Sequence, residues 1–177
     1  MTIWPELEPL LAEVQKPARY IGGELGAITP EHGPGRVAWL LLYPDAYEVG
    51  LPNQGLQILY EILNERDDAL AERAYAPWLD MDAAMRAASV PLFSVDTHHH
   101  AGAFDVFAFG LAAELVYTNV LECLDLAGVP VRGVDRCDGG SASDAVGAGS
   151  GVRHVSAVSA SVEGVAAGLG GAGSILN

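Results

Sequence analysis

Apolar positions along the chain follow two rhythms, one spaced like a helix and one continuous like a buried strand. Between Trp4 and Gln15 (WPELEPLLAEVQ), Leu7, Leu10, Leu11 and Val14 share one stripe at helical spacing with acids between them. That pattern predicts an amphipathic helix ended by Pro17. Residues 16 to 26, KPARYIGGELG, have no clean period and read as an extended or irregular arm. Gly33, Pro34 and Gly35 signal a turn. Residues 36 to 43, RVAWLLLY, are almost continuously apolar, which predicts a strand covered on both faces. Asn53 is then expected to cap a helix whose Leu56, Leu59, Tyr60 and Leu63 face inward.

The rhythm repeats. ERAYAP (72–77) reads as a short strand, and Asp80 as the cap of a helix running to Ala88. VPLFSV (90–95) and FDVFAFGL (104–111) read as two more strands. ELVYTNVLECLDLAG (114–128) predicts a helix closed by Gly128, and VPVRGV (129–134) a fifth strand. Strand and helix alternating at this spacing predict an α/β fold, a mostly parallel sheet flanked by helices.

From Cys137 the pattern stops. The last 41 residues hold 10 Gly, 8 Ala, 7 Ser and 6 Val and no Phe, Trp or Tyr. So little large apolar surface offsets the entropy of ordering poorly, and a disordered tail is expected over 137–177. The chain therefore divides into a helix and arm (1–35), an α/β body (36–136) and the tail (137–177).

Composition narrows the partners. With 9 basic and 23 acidic residues the formal charge is -14, which argues against nucleic acid and against an anionic membrane surface. The first fifteen residues lack the charged and apolar regions of a signal peptide, and no 18-residue apolar run exists. A cytoplasmic protein without a membrane partner is expected. Two cysteines, Cys123 and Cys137, make neither a disulfide framework nor a metal-ligand set, and Cys123 reads as core.

Candidate chemistry concentrates at strand ends. The loop YPDAYEVGLPNQG (43–55) has neither G-x-G-x-x-G nor G-x-x-x-x-G-K-[ST], so it offers no phosphate cradle. It does place Asp45, Glu48, Asn53 and Gln54 at the carboxyl end of a strand, where doubly wound sheets bind ligands. The competing reading is that Asp45 shapes the turn and Asn53 caps the helix. THHHAG (97–102) suggests a metal, but adjacent side chains diverge on any regular backbone, so an exposed loop is expected there and no metal site. Asp96, His98 and Gly102 half-match the D-x-H-x-x-G cobalt-ligating signature with one residue too many. No G-x-S-x-G, no H-E-x-x-H and no nucleophile–base pair is present, so no catalytic residue is assigned.

A longer resemblance runs through the body. VQKPARYIGGELG, YPDAYEVGLPNQGLQILYEILNER, APWLDM, PLFSVDT, FDVFAFGL and ELVYTNVLECLDLAGVPVRGVDR, together spanning residues 14 to 136 in unbroken order, resemble the N-terminal part of cobalamin-binding-domain radical SAM proteins. In those proteins a Rossmann-like domain precedes an iron-sulfur barrel. The resemblance implies a Rossmann-like sheet, here incomplete at its C-terminal end. It also implies a cobalamin edge formed by the loop from Pro44 to Gln54 and the loop from Leu111 to Thr118. The implied cofactor contacts are Glu48, Pro52, Asn53, Gln54, Glu114, Tyr117 and Thr118. For Glu114, Tyr117 and Thr118 the competing reading is helix capping and core packing.

Full-length family members carry a [4Fe-4S] cluster on C-x-x-x-C-x-x-C and use S-adenosylmethionine. This chain has no third cysteine, so that motif cannot be made and activity of the chain alone is not expected. The composition break at Cys137 falls where the resemblance stops, as expected of a truncated or frame-shifted product whose barrel is encoded downstream. Three readings stay open: a corrinoid-binding fragment, a non-binding remnant that folds partly or not at all, or a small flavodoxin-like binder or enzyme sharing only the sheet. Non-specific self-association is expected of the incomplete fragment.

Overall fold

VAWLLLY, residues Val37–Tyr43, forms β1 at the heart of the sheet, because a strand apolar on both sides is stable only when covered on both. The computed structural model describes residues 2–132 and, as backbone, 154–159. Parallel partners flank β1: β2 (Ala69–Tyr75), in register from Val37 with Ala69 to Tyr43 with Tyr75, and β3 (Val106–Leu111), from Trp39 with Val106 to Leu42 with Phe109. Beyond β3 lies β4 (His154–Ser159), also parallel, so the order is β2-β1-β3-β4.

Helices cover both faces. α3 (Gln54–Asn64) buries Leu56, Tyr60 and Leu63 against Leu41, Tyr43, Ala71 and Ala108. On the other face α4 (Leu79–Ala88) and α5 (Tyr117–Leu126) bring Met81, Met85, Cys123 and Leu124 onto Leu40, Leu42, Leu70, Phe107 and Phe109. The alternation follows from chirality. The chain steps from β1 to β2 in one direction and from β2 back past β1 to β3 in the other, and crossovers of one hand must then use opposite faces. This is the expected α/β, Rossmann-like arrangement. No helix among the described residues is long and apolar enough to cross a membrane.

The N-terminal stripe folds as anticipated, with Leu7, Leu10 and Val14 buried, but only Trp4–Leu7 (α1) is α-helical. Residues Glu8–Ala12 tighten to a 3₁₀ helix. Pro9 has no N–H to bond the carbonyl four residues back, so the wider ladder cannot continue. The arm after Pro17 is irregular. Its Gly22 (φ +63°) passes so close to β2's flanking segment that a Cβ there would lie 2.1 Å from the Val95 carbonyl oxygen.

Four local expectations change. The strand expected at 72–77 runs instead from Ala69 to Tyr75, with the charged Glu72 and Arg73 buried in its middle. Trp78, not Asp80, occupies the N-cap of α4, and the Asp80 carboxylate accepts from the Gln15 N–H at 2.8 Å. VPLFSV is buried but is no strand: Leu92 donates to the Leu126 carbonyl (3.0 Å) and Val95 to that of Arg73 (2.8 Å), while Pro91 has no N–H to give a ladder. VPVRGV begins no strand over residues 129–132, because Val129 is consumed in ending α5. Gly128 (φ +67°) donates to Asp125 at 3.0 Å and Val129 to Leu124 at 2.9 Å, the paired bonds of a Schellman closure. Residues 133 and 134 lie outside the described residues.

One strand falls within the stretch expected as a tail. Residues 154–159 pair with β3 from Val106 with His154 to Leu111 with Ser159. Main-chain bonds to an open strand edge need no large side chains, which is why composition concealed β4. The rest of the tail, 137–153 and 160–177, lies outside the described residues.

Candidate functional site

In this strand order the chain turns left after β1 and right after β3, so the loops leaving those two neighbours diverge, the place where doubly wound sheets bind their ligands. The two loops are tied at one point: the Asn119 side-chain amide, in the first turn of α5, donates to the Pro44 carbonyl at 2.9 Å. Both loops expected to flank a ligand therefore lie at the switch point.

The side chains expected there divide by role. Asn53 caps α3, its Oδ1 accepting from the Leu56 N–H at 2.9 Å, and Gln54 is the first helical residue, with Pro52 in the turn before it. Glu48 sits in the single turn α2 (Tyr47–Gly50) and accepts from Lys16 Nζ at 3.1 Å and Arg19 Nε at 3.0 Å. Its own backbone N–H, with Arg19 and Lys16, holds this carboxyl at about 2. Arg19 in turn lies 4.9 Å above the Trp78 ring. Glu48 thus anchors the N-terminal arm. On the second loop Glu114 belongs to a 3₁₀ turn, and Tyr117 and Thr118 open α5. Tyr117 (53%), Leu115 (89%) and Val49 (49%) are all exposed.

A pocket that sequence reasoning missed lies beside this edge, past the ends of β1 and β2. Tyr20, Tyr47, Tyr75, Trp78 and Phe93 line it, with Arg19 at its rim. Gly50 is required here, since a Cβ would meet the Tyr75 ring at 2.5 Å. The Tyr75 hydroxyl is buried and has no hydrogen-bond partner among the described residues. Burial pushes that phenol up, so it stays protonated and can donate. Tyr47 donates to Glu24 at 2.8 Å and is raised to about 12, first by burial and then by that carboxylate.

Two consecutive charges of β2 are withdrawn to opposite faces. Arg73 Nη2 donates to Asp96 Oδ1 (2.5 Å) and to Glu24 Oε2 (3.3 Å), and its guanidinium lies 4.5 Å over the Tyr60 ring. Burial opposes the charge on Arg73, but the Asp96 carboxylate outweighs burial and keeps the group protonated. Glu72 accepts from Thr97 Oγ1 at 2.7 Å and stands 2.6 Å from His32 Nε2. Burial raises the Glu72 carboxyl, and bonds from His32, Ser94 and Thr97 more than reverse it.

The histidine run is half-buried rather than exposed. His98, in the left-handed region (φ 57°), reaches the Tyr20 carbonyl at 2.9 Å and packs on Trp4. His99 stacks on His32 with centroids 4.2 Å apart. The three side chains diverge, as adjacent ones must. Asp96 and His98, the near-match to a cobalt-ligating motif, both hold the 94–100 turn in place. The grouping of His32, Glu72 and His99 joins residues 40 and 27 positions apart, so no sequence spacing announced it.

Residues 55–155 match the family described as radical SAM proteins, N-terminal. No curated protein and no solved structure matches the chain.

Proposed function

Since the chain belongs to the family of radical SAM protein N-terminal domains, with the match running from α3 into β4, we propose that it serves as a corrinoid-binding module for a radical SAM barrel. The observation that carries this reading is the exposed apolar set Val49, Leu115 and Tyr117 on the two loops that flank the topological switch point. A corrin is broad and flat with amide arms at its rim, so it needs an apolar platform more than a charge. The chain's residues fit that requirement. The Arg73 cation is neutralised inside the fold and the loops lack a glycine cradle, which disfavours a phosphate ligand.

On this reading Leu115, Tyr117 and Val49 pack against the ring face. Glu114, Thr118 and Gln54 offer acceptors and donors to the peripheral amides, and the buried Tyr75 hydroxyl supplies a free donor at the neighbouring pocket. Asn53 and Pro52 act indirectly by fixing the loop, and Glu48 by clamping the arm beside it. A bound corrinoid would supply an alkyl- or electron-carrying cobalt centre. His98 is committed to the Tyr20 carbonyl, so no axial imidazole is assigned to it. The two cysteines of residues 1–177 cannot hold a [4Fe-4S] cluster on three thiolates, so cluster and S-adenosylmethionine are assigned to a barrel outside these residues.

Absorbance titration with hydroxocobalamin tests the reading. One equivalent should bind with a shifted corrin spectrum and co-elute in gel filtration. Leu115→Asp and Tyr117→Asp should each weaken binding at least about tenfold by placing a charge against the ring. Free cobalamin eluting apart from a folded protein would overturn the proposal.

A further inference from the structure

We propose that His32, Glu72 and His99 form a binding site for a divalent transition-metal ion of the zinc class, held by two imidazoles and one carboxylate. One donor atom from each residue lies within 4.8 Å of the other two. They come from three separate segments: the loop before β1, the middle of β2, and the turn that follows Asp96. A metal bridging them would fasten the N-terminal arm to the 94–100 turn across the outer strand of the sheet.

The spacing suits a small tetrahedral ion. Bonds of about 2.0–2.2 Å to nitrogen and carboxylate oxygen put neighbouring donors about 3.4 Å apart. His32 Nε2 to Glu72 Oε1 is 2.6 Å and His99 Nδ1 to Glu72 Oε1 is 3.9 Å, so the two distances bracket that value. Small rotations of the two imidazoles would equalise them, with His99 Nδ1 exchanging its hydrogen bond to Thr97 Oγ1 for the ion and its proton moving to Nε2. The carboxylate is already aimed, since its side chain is fully buried and its other oxygen accepts from Thr97 Oγ1 at 2.7 Å. Such an orienting bond is what metal-ligating carboxylates characteristically have.

The donor set also selects the ion. Two imidazoles and one carboxylate suit zinc and its neighbours, whereas calcium and magnesium prefer oxygen alone. The ligand side chains of His32 and His99 keep 21% and 18% exposure, which leaves a path for the ion and room for a water in the fourth position. His98 is engaged with the Tyr20 carbonyl, and the donor atoms that converge are those of His32, Glu72 and His99. The site is on the opposite face of β2 from Arg73 and does not depend on corrinoid binding.

The test is zinc titration of chelator-stripped full-length protein, read by calorimetry and by thermal melting, with cobalt(II) absorbance as a check on imidazole ligation. One equivalent of zinc should bind and raise the melting temperature. His32→Asn and His99→Asn should each weaken binding by at least about tenfold. Thr97→Val, which removes the hydroxyl that contacts both the Glu72 carboxylate and the His99 ring, should weaken it by about 10- to 100-fold. His100→Asn should leave it unchanged. Zinc that binds His32→Asn and His99→Asn as tightly as wild type would place the ion elsewhere and overturn the proposal. So would a wild-type melting temperature indifferent to zinc, whether or not the variants fold.

Discussion

Glu72 and Arg73 are adjacent in the outer strand of the sheet, yet each is buried and each is compensated by a different part of the same two segments. Glu24 and His32 come from the N-terminal arm, Asp96, Thr97 and His99 from the 94–100 turn. Alternation along a strand sends the two side chains to opposite faces, so arm and turn must wrap β2 from both sides. That wrapping also covers what would otherwise be an open sheet edge: the Arg73 carbonyl accepts from Val95, and the Arg73 N–H donates to Asp96 at 2.7 Å.

The wrapped edge makes Arg73 costly to remove. Arg73→Ala leaves the Asp96 carboxylate buried and unpaired, and should lower stability by about 3–5 kcal/mol. The double variant Arg73→Met/Asp96→Leu should recover much of the loss, because it removes both charges together. Urea denaturation measures both. A single-variant loss below about 1 kcal/mol would mean that the pair is solvated and the arm is not docked.

Acid should loosen the arm through Glu48. Its carboxyl sits at about 2, below the ordinary 4.5, so the folded state favours the ionised form. The stabilisation is complete above 4.5 and fades as pH falls from there towards 2. The group is exposed, so the effect is small and weakens with salt. Comparing melting temperatures of wild type and Glu48→Gln between pH 6 and pH 3 should show the gap closing. A gap that is constant with pH would remove Glu48 from the account.

The Asn53 cap is a local test of the β1 loop. Asn53→Ala removes the bond to the Leu56 N–H and should cost about 0.5–2 kcal/mol, while Asn53→Ser should restore most of it. Equal stability of wild type and Asn53→Ala would show that α3 starts elsewhere.

Leu41→Asp should abolish soluble folding. Leu41 is 1% exposed in the strand that neighbours both β2 and β3, and a carboxylate there has no partner. Soluble expression with an unchanged melting temperature would contradict the central place of β1.

Much of the body is legible in the sequence. β1, α3, β3 and α5 follow from local signals: continuous apolar runs, a 3.6-residue stripe, an Asn cap and a closing glycine. The parallel α/β class followed from their alternation. The loops beyond β1 and β3 could likewise be named, because a strand's carboxyl end is fixed by its direction.

What only the tertiary structure decided depends on contacts between distant positions. Glu72 and Arg73 read as a polar end to a short strand, and are its buried middle because arm and turn supply their partners. VPLFSV and VPVRGV have strand-like composition, but the carbonyl groups of Leu126, Arg73 and Leu124 claim their N–H groups first. β4 lies in a Gly/Ala/Ser-rich stretch whose composition announces no strand, and it pairs with β3 through the main chain. The His32–Glu72–His99 group has no spacing at all to read. Local pattern reports which residues avoid water. It cannot report which distant polar group will be waiting where they are buried.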